Sequence, residues 1–285
     1  AWPAPSSATV PRLVLPFLKV TLPLGVPSPG ATAVTGVLER SGGDWIVVRG
    51  ETRGPRFDRV EWTSLRWSPD GRRVAYATNR RNGKDNDIVV VEARPPYAER
   101  VVHAGTSSGW SPVEWSPDGA RLLLRQSLGQ TETRLWTMDV ATTTKSQVTS
   151  RTDRHYYAAA AFAEGGKTVV ALADFGADFL TPVRIDLSTG ETRRLDGAPE
   201  WDGEELAVSE DGTRLVVAFN VEGFSELRCW DLATGRPLPA PRLKAGVLSG
   251  LQFRPGSHEV GFSLNSEDSA SDAWSADLDS GAVTR

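Results

Sequence analysis

The sequence holds one cysteine, Cys229, one methionine and three histidines in 285 residues. A lone cysteine excludes an intrachain disulfide and any zinc site built on cysteines, so nothing demands an oxidising compartment and a reducing cytoplasm is the expected location. The chain begins at Ala1 rather than Met, which leaves a removed signal peptide open. Long apolar runs are missing as well. The best stretch, Leu13 to Leu18, contains Pro16 and is closed by Arg12 and Lys19, far short of the roughly 18 to 20 residues a membrane-spanning helix needs. Positive charge is not in excess either. With 32 Lys and Arg against 36 Asp and Glu the formal charge is −4, which gives no broad cationic surface for nucleic-acid phosphate or anionic lipid. Neither a nucleic acid nor a membrane is expected as a partner. Helical, 3.6-residue periodicity is absent from the repeats described next, which excludes an α-solenoid.

What the chain has is a repeat. Leu65-Arg-Trp-Ser-Pro-Asp-Gly71, Val113-Glu-Trp-Ser-Pro-Asp-Gly119, Ala160-Ala-Phe-Ala-Glu-Gly-Gly166, Leu206-Ala-Val-Ser-Glu-Asp-Gly212 and Leu251-Gln-Phe-Arg-Pro-Gly256 align on one pattern, and their markers Trp67, Trp115, Phe162, Val208 and Phe253 lie 48, 47, 46 and 45 residues apart. A second set, Glu92, Asp139, Asp186, Asp231 and Asp277, runs in phase at spacings of 47, 47, 45 and 46. Three of these open a shared phrase, Asp186-Leu-Ser-Thr-Gly190, Asp231-Leu-Ala-Thr-Gly235 and Asp277-Leu-Asp-Ser-Gly281.

Each unit reads as four strands. Pro-Asp-Gly is turn chemistry and closes a hairpin between the first two. The second strand, as in Val74-Ala-Tyr-Ala77, Leu122-Leu-Leu124 and Leu215-Val-Val-Ala-Phe219, is apolar on both faces, as a strand covered from both sides must be. The Asp-Leu-x-Thr/Ser-Gly phrase turns into a polar outer strand. Four-stranded units at a period of 45 to 48 residues predict an all-β fold, a β-propeller of antiparallel blades with five clear repeats over residues 61–285. Residues 1–60 read as either a loose leader or a degenerate sixth blade, because seven prolines fall within the first 29 residues and proline disfavours central strands.

The order of further phrases carries a resemblance. After the two Trp-Ser-Pro-Asp-Gly copies come Asp174-Phe-Gly-Ala-Asp-Phe179, Trp201-Asp-Gly-Glu-Glu205, Phe219-Asn-Val-Glu-Gly-Phe-Ser-Glu-Leu227, Leu238-Pro-Ala-Pro241 and Gly246-Val-Leu-Ser-Gly-Leu-Gln-Phe253. Over roughly residues 60–285 this resembles the propeller of the prolyl oligopeptidase family of serine peptidases, in its acylaminoacyl-peptidase-like branch; TolB-like propellers share the Trp-Ser-Pro-Asp-Gly motif. The resemblance implies a propeller that caps and gates an α/β-hydrolase domain, with that domain and short peptides as its partners and no cofactor. The phrase ending at Arg285 is where the link to the hydrolase domain would begin, so the Ser, Asp and His of the parent peptidase are expected outside this chain and residues 1–285 are expected to be inactive alone. Seven blades are usual in the family. An unclosed ring would expose an apolar flank, from which self-association is expected. The alternative is a self-standing TolB-like propeller acting as a protein-interaction module.

Within the chain no residue is assigned a catalytic, cofactor or metal role. Gly105-Thr-Ser-Ser-Gly109 matches the nucleophile-elbow string around Ser107, but it lacks the strand before and the helix after that an elbow requires. His103, His155 and His258 fall on different repeats. Asp85 with Asp87, Asp174 with Asp178, and Asp202 with Glu204 and Glu205 miss the fixed spacing of a calcium loop, and solvated loop charge is the simpler reading. The periodic aromatics read as packing between blades, and Cys229 as an inert apolar residue. The loops between second and third strands and those between blades share one face, where any binding is expected.

Overall fold

The computed structural model describes residues 62–285 except 153, and the strands at 20–21, 37–41, 44–49 and 52–57. Twenty-four strands form six four-stranded antiparallel sheets, each in sequential order. The first comprises β1 (Val20–Thr21), β2 (Val37–Ser41), β3 (Asp44–Arg49) and β4 (Thr52–Phe57). The second holds β5 (Arg66–Trp67), β6 (Arg73–Thr78), β7 (Asp87–Glu92) and β8 (Glu99–His103). The third holds β9 (Gly109–Trp115), β10 (Arg121–Ser127), β11 (Thr133–Asp139) and β12 (Lys145–Gln147). The fourth runs through β13 (Tyr157–Ala163), β14 (Thr168–Ala173), β15 (Thr181–Asp186) and β16 (Thr192–Arg194). The fifth has β17 (Gly203–Val208), β18 (Arg214–Val221), β19 (Phe224–Asp231) and β20 (Arg236–Leu238). The sixth ends the chain with β21 (Val247–Phe253), β22 (Glu259–Ser266), β23 (Ser269–Asp277) and β24 (Val283–Thr284). Among the described residues there is no α-helix, only 3₁₀ turns at Trp62–Ser64 and Glu164–Gly166.

The first strands of successive sheets, β5, β9, β13, β17 and β21, touch in sequence, so the sheets stand side by side as propeller blades. Their faces pack on one another. One apolar cluster joins Ala75, Ala77 and Ile88 of blade 2 to Trp115, Leu122 and Leu124 of blade 3, and the next joins Leu123 and Leu135 to Phe162, Val169 and Val183 of blade 4. Successive residues of β10 thus serve opposite neighbours, which is why its sequence is apolar at consecutive positions rather than at alternate ones. Two further clusters link blades 4 to 5 and 5 to 6. Each such Leu or Val, fully buried, contributes on the order of 1.5–3 kcal/mol.

The hairpin turns have the chemistry their sequence promises. Gly71 sits at φ +63°, Ser68 Oγ donates to Asp70 and accepts from Arg73 N–H at 2.9 Å, and Ser116 and Ser209 repeat the pattern with Asp118 and Asp211. The Asp-Leu-x-Thr-Gly turn is closed by Asp139, Asp186, Asp231 and Asp277, each accepting from backbone N–H groups two or three residues on.

Two expectations need adjustment. Blade 6 departs from the two-faced pattern: Val260, Phe262 and Leu264 of β22 are buried against blade 5, whereas Gly261 and Ser263 on the other face are half-buried and Asn265 is exposed. The flank there is small and polar rather than broadly apolar. Trp67 and Trp115 occupy equivalent places, but Trp115 is buried and Trp67 only half-buried. The choice between leader and sixth blade for residues 1–60 rests largely on positions outside the described residues; what is described there is the sheet β1 to β4.

Candidate functional site

The loop face is held together by one recurring device that sequence reasoning did not find. In three blades a residue at the start of the third strand reaches the backbone of the next blade's first strand or of the loop that leads into it. Asp87 accepts from Gly105 N–H at 2.9 Å, Thr133 Oγ1 accepts from Tyr157 N–H at 2.7 Å, and Ser225 Oγ accepts from Leu248 N–H at 2.9 Å. Residue type varies while position repeats, so only alignment on strand register could have shown it. In blade 4 the device lapses, since Thr181 Oγ1 is buried with no partner.

Most of the carboxylates singled out from the sequence bond to this framework, although Asp178, Asp202 and Glu204 are exposed as solvated loop charge would be. Asp87 is 2% exposed and held by Arg81 through both carboxylate oxygens; its carboxyl stays below the usual range because Arg81 and the Gly105 N–H outweigh the cost of burial. Asp85 accepts from Ser107 N–H, Asp174 from Tyr156 N–H, and Asp202 from Leu180 N–H. Glu205 receives Gly250 and Leu251 N–H from blade 6, while Glu204 accepts from Asn220. No group of three or more His, Cys, Asp or Glu able to hold a metal ion occurs among the described residues.

Ser107 lies at φ +58° in a loop between β8 and β9, with no helix behind it. The histidines do not converge. His155 faces Asp174 at 3.2 Å, and His258 lies between Asp211 and Asp279. His103 accepts from Lys145 Nζ at 3.1 Å and meets Trp110 edge-on. That lysine sits 4.4 Å from the Trp110 ring centre and 5.6 Å from that of Trp136. Burial and then the Lys145 charge push His103 down to about 4, so it is neutral at physiological pH and its ring nitrogen is occupied as an acceptor. Cys229 is buried and its thiol is pushed up to about 12 by burial, which makes it inert.

A cavity of about 550 Å³ opens between the first strands of blades 3 and 4 and the end of the turn before β5. Its lining includes Thr63, Arg66, Asn86, Trp110, Arg125 and Tyr157. Asn86 belongs to a loop between second and third strands, Gly109 and Tyr157 begin first strands, and Ser127 ends a second strand; the cavity therefore lies toward the loop face. Large apolar side chains are exposed on that same face: Leu128, Trp201, Phe224 and Val247 are 39–52% exposed, and all sit in or beside its loops. The remaining one among the described residues, Val101, lies in the outer strand β8. A second cavity, of about 500 Å³, lies on the rim beside β19, between Arg228 and Pro241 to Leu243.

No protein-family model matches the chain, and no curated protein does. Solved structures do. Prolyl oligopeptidase B from Galerina marginata superposes on 87% of the chain with a TM-score of 0.69 at 13% identity, and a puromycin hydrolase on 91% with 0.66 at 16%. TolB from Acinetobacter baumannii superposes on 84% with 0.59 at 19%. The fold is that of a β-propeller. The chain spans 39%, 44% and 58% of these three proteins respectively. Likeness at such identities establishes the fold and leaves activity to be argued from the site.

Proposed function

We propose that the chain is a capping propeller whose loop face docks on a second folded domain, the α/β-hydrolase domain of a prolyl-oligopeptidase-type serine peptidase, and restricts entry to short peptides. The observation that carries the reading is the placement of four exposed large apolar side chains, Leu128, Trp201, Phe224 and Val247, on the face toward which the cavity lies. Their gathering on one face, with only Val101 exposed elsewhere among the described residues, supports reading that face as the docking side. The superpositions on prolyl oligopeptidase B and on TolB are compatible with either parent; the phrase order from Asp174 to Phe253 is what favours the peptidase and its acylaminoacyl-peptidase-like branch. Short peptides as ligands and a cytoplasmic location belong to the same proposal, and self-association remains part of it although the described flank of blade 6 is small and polar. No described helix is long and apolar enough to cross a membrane.

The test is hydrolysis of acyl-peptide and prolyl chromogenic substrates by the whole protein encoded by the reading frame that contains residues 1–285, beside purified 1–285. Activity is expected in the first and none in the second, which should also fail to label with a fluorophosphonate probe. Labelling of 1–285 that vanishes in Ser107→Ala overturns the proposal. A frame that encodes no Gly-x-Ser-x-Gly elbow favours the second reading, a TolB-like interaction module, in which the same loop face receives a protein partner.

A further inference from the structure

The cavity between blades 3 and 4 is lined by two guanidinium groups and, among the described residues, by no Asp or Glu. Arg66 donates from Nε to Val113 O and from Nη1 to Thr63 O and Leu65 O. Arg125 donates from Nη1 to Ala158 O at 2.7 Å, and its Nε is shut off from water with no acceptor. A charged donor left in that state is unfavourable, and, being closed to water, it is not the atom that a ligand in the cavity would meet. The two cations also feel one another: Arg66 is drawn below the ordinary arginine value by burial, against the pull of Glu114, and further by the charge on Arg125. Glu114 compensates them only in part. Its carboxylate already accepts from Phe162 N–H at 2.6 Å, and burial pushes it up to about 7, so near neutral pH it carries a fraction of a charge. The remaining wall mixes apolar side chains, Trp110, Pro112, Val113 and Tyr157, with polar ones, Asn86, Ser111 and Ser127.

We propose that this cavity binds a carboxylate carried on a body with both apolar and amide groups, the chemistry of a short peptide's C-terminal residue, with the carboxylate meeting Arg125 and Arg66. A planar guanidinium matches a carboxylate in a two-point fork, and a volume of about 550 Å³ lies within the roughly 300–1,000 Å³ typical of small-ligand sites. The assignment does not rest on the hydrolase reading, because binding to residues 1–285 is measured without any hydrolysis.

Isothermal titration calorimetry of residues 1–285 with an N-acetylated dipeptide ending in phenylalanine, its C-terminal amide, 3-phenylpropanoate and inorganic phosphate tests it. The free acid is expected to bind, with the amide weaker by roughly 10- to 100-fold, the ratio set by one charge-assisted pair. Phosphate should trail the acid. The ratio of dipeptide to phenylpropanoate tells a peptide terminus from a free small acid. Arg125→Gln should lose the acid by a similar factor while Arg125→Lys recovers part of it. Ser111→Asp, which builds a carboxylate into the lining, should abolish acid binding, and it decides the matter if Arg125→Gln fails to fold. Equal binding of acid and amide, phosphate as tight as the acid, no acid binding up to millimolar concentration, or unchanged binding in folded Arg125→Gln or Ser111→Asp overturns the proposal.

Discussion

The Arg73 guanidinium lies 4.7 Å from the centre of the Trp115 ring in the neighbouring blade and donates to Gly119 O at 2.7 Å. Arg121 repeats the relation on Phe162 at 5.4 Å, with Gly166 O at 2.6 Å. In both, an arginine six residues after one repeat's aromatic marker addresses the next marker. The chain then loses both partners together, since Thr168 stands at the arginine's place and Val208 at the aromatic's. Thr168 Oγ1 is buried with no partner, and in the following blade Arg214 turns to Asp231 of its own sheet.

Arg73→Gln is expected to cost about 1–2 kcal/mol, for one cation–π contact and one charged hydrogen bond. Trp115→Ala should cost about 3–5 kcal/mol through the cavity it leaves. Urea denaturation of the singles and the double variant checks the pairing: the double should fall short of additivity by about 0.5–1 kcal/mol, and strict additivity would deny it.

The blades were legible in the sequence because three kinds of signal agree at one period. Gly71, Gly119 and Gly212 take positive φ in the turns that Ser-x-Asp-Gly announces, Asp186 and Asp231 close the second turn, and the consecutive leucines of β10 report two buried faces. The cross-blade contacts were not legible. Asp87, Thr133 and Ser225 share a job but not a residue type, and Glu114 meets Phe162 across 48 positions, a distance at which sequence carries no pairing signal. The cavity arginines were missed for the same reason. Arg66 and Arg125 stand on strands that otherwise read as core, and only blade packing brings them to one cavity.

Thr133 and Thr181 open equivalent strands, yet one hydroxyl is bonded and the other is not. Thr133→Val should destabilise by about 1–3 kcal/mol, since it strands the Tyr157 N–H, whereas Thr181→Val removes an unsatisfied hydroxyl and should be neutral or stabilising. Thermal melts of the two variants compare them directly, and equal losses would show that the blade-to-blade bond contributes nothing.

Glu114 titrates in the folded state near 7, above its ordinary value of 4.5, because burial outweighs the Phe162 N–H and the Arg66 charge. A folded pKa raised in this way gives stability that is present below about pH 4.5 and is lost as pH rises through 7. Gln keeps an oxygen for the Phe162 N–H and has no charge to desolvate. Glu114→Gln should therefore match the parent near pH 4.5 and exceed it by roughly 1–3 kcal/mol at pH 8. Urea midpoints at pH 4.5, 6, 7 and 8 test this, and a gap that does not widen with pH would place the ionised carboxylate in a better-solvated setting.

His258 supplies the second pH dependence of the same sign, and it comes from the opposite cause. Its Nδ1 faces Asp279 at 2.9 Å, its Nε2 faces Asp211 at 3.1 Å, and Thr213 Oγ1 lies 3.4 Å from Nε2. Burial alone would lower its pKa, but the two carboxylates overcome that and raise it above 6.5. The imidazolium thus ties the Asp211 turn of blade 5 to the Asp279 turn of blade 6. Its contribution is complete below the unfolded value of 6.5 and disappears as pH climbs through the folded value. With both aspartates largely exposed, the pair of contacts is worth a few tenths to about 1 kcal/mol. His103 works against it at the other end, for its folded pKa of about 4 costs stability as pH falls from 6.5 toward 4. His258→Asn should lower the melting temperature at pH 5.5 and leave it unchanged at pH 8.5, while His103→Asn should flatten only the acid limb. A His258→Asn loss as large at pH 8.5 as at 5.5 would mean that the side chain holds the two blades by packing, with its charge irrelevant.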